Sequence, residues 1–199
     1  MMELWTLENE IYDSGVKLLC GVDEAGRGPL AGPVCAAAVI LPRGLVIDGL
    51  DDSKKLTEKK REALHDVITG SAVSYGIAFA SVAEIEELNI LNAAMLAMNR
   101  AIAKLDPVPE LALIDGNCSR GIAVPSRCVI KGDASCADIA AASVLAKVTR
   151  DRYMLEMAVK YPEYHFEQHK GYGTKLHYEA LREYGPCEIH RSSFLRKMH

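Results

Sequence analysis

Val16-Lys17-Leu18-Leu19-Cys20-Gly21-Val22-Asp23-Glu24-Ala25-Gly26-Arg27-Gly28-Pro29-Leu30-Ala31-Gly32-Pro33-Val34-Cys35-Ala36-Ala37-Ala38-Val39-Ile40-Leu41 is two apolar runs around a glycine- and proline-rich turn. Residues 16–23 are apolar and β-favouring, and they end where glycines and prolines crowd the chain at 26–33. Residues 34–41 predict a second strand, closed by Pro42. So short a connection predicts an antiparallel pair. Two acids, Asp23 and Glu24, stand at the end of the first strand.

Outward from this hairpin, residues 51–55 read as a polar loop. Thr57 then caps a helix reaching about Ile68, with Lys60 at its third position. A third strand is expected over 72–81. Leu91, Ala94, Met95, Met98 and Ile102 recur at helical spacing over 91–105, before Asp106-Pro107 and Pro109. Residues 111–114 and 128–130 read as short strands, each running into an acid. A long helix over about 134–161 and another over about 174–184 follow. Strands first, then strands alternating with helices, predict an α/β fold with a mixed sheet.

The chain of 199 residues fits one domain, or one with a small appendage, and half of it is apolar. Residues 1–10 lack a basic start and an apolar run, so no secretory signal is expected. No stretch approaches the ~20 apolar residues of a membrane span. The cysteines form no C-x-x-C pair, and Cys20 and Cys35 lie in apolar runs. These features predict a reduced, cytoplasmic protein with core cysteines and no structural zinc. The net charge of −4 speaks against a generic nucleic-acid binder. The basic residues are nevertheless bunched at Lys54, Lys55, Lys59, Lys60 and Arg61, at Lys147, Arg150 and Arg152, and at Arg191, Arg196 and Lys197.

Three apolar strands end in acids: Asp23 with Glu24, Asp115, and Asp133. Acids at neighbouring strand ends converge at one sheet edge and repel each other unless a cation sits between them. All-oxygen ligation selects hard ions, Mg²⁺ or Mn²⁺. Two such ions about 3.5–4 Å apart activate a water and steady a leaving oxygen in phosphodiester hydrolysis. Taken singly, Asp133 also suits a helix N-cap and Asp115 an Asp-Gly turn. Asp23 points inward only if the chain already turns at Glu24, because strand neighbours face opposite ways. Asp138 is a rival of Asp133. It lies about 140° around a helix from it, so the two do not readily share an ion.

The loop Gly26-Arg27-Gly28-Pro29-Leu30-Ala31-Gly32 lacks the Gly-Lys-Ser/Thr ending of a Walker loop and the dinucleotide spacing. It is either a strand-joining turn or a small-residue approach to a sugar-phosphate. His169-Lys170-Gly171-Tyr172-Gly173 exposes an aromatic ring that stacks on a sugar or base, or else covers a helix end. His169 and His177 read as surface or polar-network residues, not metal ligands.

These stretches resemble ribonuclease HII, of the type 2 ribonuclease H family. The resemblance is carried by the 21–32 segment and Asp52-Ser53-Lys54-Lys55-Leu56. Ile114-Asp115-Gly116-Asn117 and Lys131-Gly132-Asp133 add to it. So do Ala140-Ala141-Ala142-Ser143 with Ala146-Lys147-Val148-Thr149-Arg150-Asp151, and His169-Lys170-Gly171-Tyr172. The match runs in order from residue 21 to 194. It implies a ribonuclease H-like, five-stranded mixed sheet flanked by helices over residues 1–160, with a small helical C-terminal region over 161–199. It implies an endoribonuclease (EC 3.1.26.4) acting on RNA–DNA hybrids and on single ribonucleotides embedded in duplex DNA. Cleavage 5′ to the ribonucleotide would leave 3′-hydroxyl and 5′-phosphate ends. The resemblance makes Asp23, Glu24, Asp115 and Asp133 catalytic ligands of Mn²⁺ or Mg²⁺. It places Gly26, Arg27 and Gly28 at the ribose 2′-hydroxyl, Tyr172 at the RNA–DNA junction, and Lys54, Ser143 and Lys147 at phosphates. A monomer serving primer removal or ribonucleotide repair is expected, with little room after Phe194 for a clamp-binding peptide. The alternatives are another nuclease, recombinase or resolvase on the same fold, or a non-catalytic hybrid-binding module.

Overall fold

A computed structural model describes residues 2–196. Its centre is a five-stranded sheet in the order β3-β2-β1-β4-β5. The strands are β1 (Leu19–Ala25), β2 (Val34–Ile40), β3 (Ser74–Ala80), β4 (Leu111–Asp115) and β5 (Ser126–Val129). β1 pairs antiparallel with β2, and β2 with β3. β1 pairs parallel with β4, and β4 with β5. The expected mixed, five-stranded α/β sheet and its opening hairpin are both present.

Every residue of β2 is buried because helices cover both faces of the sheet. Val34, Ala36, Ala38 and Ile40 face one layer, built on α4 (Ile90–Ile102) with Ala94, Ala97, Met98 and Ala101. Ala37 and Val39 face the other, built on α2 (Glu58–Ser71) and α5 (Ala137–Lys160). This is the two-residue period of a strand used on both sides. The small side chains let the helices come close. A Cβ on Gly21 would stand 2.2 Å from the Asp138 backbone carbon, so only glycine admits the start of α5 against β1.

The Thr57 cap forms as expected, with its hydroxyl oxygen accepting from the Lys60 amide. Two short helices escape the sequence pattern: α1 (Thr6–Asp13) and α3 (Val82–Leu88), the latter opened by a Ser81/Glu84 capping box. After α5 come α6 (Phe166–His169), α7 (Lys175–Tyr184) and α8 (Ser192–Leu195). Leu30 and Ala31 pack with Met154, Tyr164, Phe166 and Leu181 there, which ties the 26–33 turn to the C-terminal helices. Among the described residues, no helix is long and apolar enough to cross a membrane.

Candidate active site

Parallel pairing of β1 with β4 and of β4 with β5 brings the ends of all three strands to one edge. Asp23 lies two residues before the end of β1, Asp115 closes β4, and Asp133 follows β5 in a single 3₁₀ turn, Gly132–Ala134. Carboxylate oxygens of Asp23, Asp115 and Asp133 all lie within 4.8 Å of one another. Asp133 is not the N-cap of α5; Cys136 holds that position. Asp115 does not merely start a turn, because its Oδ1 accepts the Gly132 amide across the strand gap at 2.7 Å.

Glu24 behaves differently. The chain does not turn there, since β1 continues to Ala25. The Glu24 carboxylate is not among the oxygens that converge within 4.8 Å, and it meets Arg27 Nη1 at 3.2 Å. Both residues line a cavity of about 230 Å³ with Asp23, Asp115, Gly26, Gly28, Lys54, Lys147 and Tyr172. A second cleft, sharing Lys54 and Asp115, holds Asp133.

The electrostatics call for positive charge. Burial, then Glu24 and Asp115, push the Asp23 carboxyl well above its ordinary range. Burial, then Asp133, raises Asp115. Burial raises Glu24, with Arg27 opposing. Burial works against the Lys54 ammonium, but the hydrogen bond to Asp133 at 3.2 Å and the charges of Asp133, Asp23 and Asp52 together outweigh it, and the pKa rises. A cluster of buried oxygen donors with one lysine at its rim fits a hard divalent cation.

Ser143 departs from its expected place. It is buried, and its hydroxyl donates to Ser53 Oγ at 2.6 Å. It fixes Ser53, which lines the cavity in its stead. Lys147 pairs with Asp151 at 2.8 Å and stands 5.7 Å over the Tyr172 ring. Asp138 lies elsewhere: fully buried, its Oδ1 accepts the Leu41 amide at 2.6 Å. His169 and His177 are buried network residues rather than surface ones.

Two arginines counted above in basic bunches are fully buried. Arg150 donates to the carbonyls of Pro33, Ala31 and Lys170, each at 3.0 Å. Arg191 donates to those of Gly32, Arg27 and Gly26 at 2.9, 3.0 and 2.6 Å. These are backbone oxygens of the two loops at the cavity. Burial, then Arg150, lowers the Arg191 pKa to about 9. Gly26 has φ +99°, and a Cβ there would meet Arg150 Nε at 2.0 Å, so the loop sits directly on the guanidinium. One signal was available in the sequence: Arg150 falls on the α5 stripe Ala142, Ala146, Arg150, Met154, which is otherwise apolar and buried. Lys197, from the third bunch, lies outside the described residues.

The family model described as Ribonuclease HII matches residues 20–197. The chain belongs to the ribonuclease HII family. It is 53% identical over 195 residues to the ribonuclease HII of Acetivibrio thermocellus, covering 98% of this chain and 76% of that one. It is 56% identical over 183 residues to that of Burkholderia mallei, covering 92% and 86%. The crystal structure of ribonuclease H2 from Pyrococcus horikoshii superposes with a TM-score of 0.75 at 27% identity, covering 92% of this chain and 97% of that one. The enzyme is a ribonuclease H, a hydrolase of EC class 3.1.26.4, on a ribonuclease H fold.

Proposed function

We propose that the enzyme cuts the RNA strand of RNA–DNA hybrids, and single ribonucleotides embedded in duplex DNA, on the 5′ side of the ribonucleotide. The products carry 3′-hydroxyl and 5′-phosphate ends. The reading rests on one observation: the Asp23, Asp115 and Asp133 oxygens share one small volume beside a cavity lined by Gly26, Arg27, Gly28 and Tyr172. Asp23, Asp115 and Asp133, with Glu24 lining the same cavity, would hold Mg²⁺ or Mn²⁺. Bound there, such ions would supply an activated water and positive charge beside the leaving oxygen.

The chain's own groups do the rest. Gly26, Arg27 and Gly28 meet the ribose 2′-hydroxyl, the group that separates RNA from DNA. Gly28 has no Cβ, and one built there would lie 3.8 Å from Tyr172 Cε1, so the loop and the ring flank the same space. Tyr172 stacks at the RNA–DNA junction. Lys54 and Lys147 meet flanking phosphates. The protein works as a monomer, in ribonucleotide repair or primer removal.

The test is a DNA duplex carrying one ribonucleotide, incubated with Mg²⁺ or Mn²⁺ and mapped at single-nucleotide resolution. One cut 5′ to the ribonucleotide is expected, absent with Asp115→Asn at unchanged folding. Cutting of all-DNA junctions, binding without cutting, or near-normal turnover by Asp115→Asn refutes the proposal.

A further inference from the structure

Beneath the Tyr172 loop three buried histidines meet, and their hydrogen bonds leave each one a single possible proton position. The Cys187 amide donates to His190 Nδ1 at 2.9 Å, and the Cys187 Sγ lies 3.1 Å from the same nitrogen. That nitrogen is therefore an acceptor, and the His190 proton sits on Nε2. His190 Nε2 lies 3.0 Å from His177 Nε2, to which it must donate. The His177 proton is thereby left on Nδ1, where it donates to the Tyr172 carbonyl at 2.9 Å. By the same logic the Gly171 amide donates to His169 Nδ1 at 3.2 Å, and His169 Nε2–H donates to the Tyr164 carbonyl at 2.9 Å. The His169 and His177 rings stack with centroids 4.4 Å apart. Among the described residues, none of the three pairs with a carboxylate.

Tyr172 is 43% exposed, so packing holds only part of it, and its backbone carbonyl is met by His177. We propose that His177 and His190 are positioning residues: a pair of rings bridged by one proton that holds the Tyr172 carbonyl, and with it the ring, where the substrate junction arrives. This rests on the reading that Tyr172 meets the junction. The bridge has a direction. With the His190 proton committed to Nε2, the His177 ring presents a donor to Tyr172; without His190, His177 is free to present a lone pair to the same carbonyl. The chain Cys187, His190, His177, Tyr172 thus transmits a donor from the C-terminal segment to the loop at the cavity.

The experiment compares kcat/KM for a single embedded ribonucleotide with kcat/KM for a uniform RNA–DNA hybrid. Variants are His177→Leu, His177→Asn, His190→Gln and Tyr172→Ala, each checked by thermal melting. Asn at 177 keeps an N–H at the Nδ1 position, and Gln at 190 keeps one at the Nε2 position. The ratio is expected to fall roughly three- to tenfold in His177→Leu, the effect of about one lost hydrogen bond, and to recover in His177→Asn and His190→Gln. Nitrogen-15 NMR of the parent is expected to show His177 as the Nδ1–H tautomer and His190 as the Nε2–H tautomer. The opposite tautomers overturn the proposal. So does an unchanged ratio in a well-folded His177→Leu when Tyr172→Ala lowers it. An unchanged ratio in Tyr172→Ala removes the reading of Tyr172 itself, and the positioning role falls with it.

Discussion

Glu8→Gln should stabilise the enzyme above neutral pH and do nothing in acid. Glu8, on α1, is fully buried, and its Oε1 accepts the Asp138 amide at 3.0 Å. Asp138 is equally buried, and the second oxygens of both carboxyls, Glu8 Oε2 and Asp138 Oδ2, have no hydrogen-bond partner. Burial raises Glu8 from 4.5 to about 7, and burial with Glu8 raises Asp138 well above its ordinary range. Below the unfolded value of 4.5 Glu8 is protonated whether folded or not, and it adds no pH dependence. As pH climbs from 4.5 to about 7, the unfolded chain releases a proton that the fold retains, and stability is lost. Above 7 the loss is complete. The rise to about 7, at 1.36 kcal/mol per pH unit, corresponds to about 3 kcal/mol. Glutamine keeps the acceptor for Asp138 and brings an N–H in place of the unpartnered oxygen. Denaturant unfolding of parent and variant at pH 4 and pH 8 reads the difference directly. A gain of about 3 kcal/mol at pH 8, fading to near zero at pH 4, is expected. An equal change at both pH values, or a loss at pH 8, refutes a carboxyl held protonated by its burial.

Asp138→Asn should leave cleavage intact while Asp133→Asn abolishes it in the same gel assay, because only Asp133 shares space with Asp23 and Asp115. Arg191→Met strips the buried carbonyls of Gly26, Arg27 and Gly32 of their donor. At about 1–3 kcal/mol for each orphaned group, it should lower the melting temperature steeply and cripple cleavage. Gly21→Ala forces a Cβ to 2.2 Å from the α5 backbone, and a destabilisation of about 3 kcal/mol or more is expected in chemical denaturation.

The sheet was legible because its strands are apolar runs closed by glycine, proline or an acid, and those marks are local. The meeting of Asp23, Asp115 and Asp133 was legible for the same reason: each acid lies at or near the end of a strand, and parallel pairing aligns those ends. Helix α1 escaped because its buried side chains, Glu8 among them, do not form an apolar stripe. Helix α3 is seven residues long and directly follows β3, so its Ser81 capping box merged with the expected strand end. The orientation of Glu24 depends on how far β1 stays regular, which sequence spacing does not state. Arg150 and Arg191 escaped because a charged side chain predicts a surface, whereas six backbone carbonyls are what bury them.

Those two arginines divide the labour of the site between distant parts of the chain. The acids are delivered by strand ends of the sheet. The loop beside them is held from below by residues that come 117 to 165 positions later. Arg191 grips Gly26, Arg27 and Gly32, while its amide donates to Leu30 O at 2.8 Å. The Leu30 amide donates to Gly171 O and the Gly32 amide to Ile189 O, both at 2.8 Å. Arg150 joins Ala31 and Pro33 to Lys170. The 26–33 turn, the Tyr172 loop and the 187–191 segment are therefore one hydrogen-bonded unit, built against the C-terminal helices. The acids hang from the sheet and the turn after β5, whereas the loop beside them hangs from the tail, so damage to the tail should blunt discrimination of ribose before it removes metal binding.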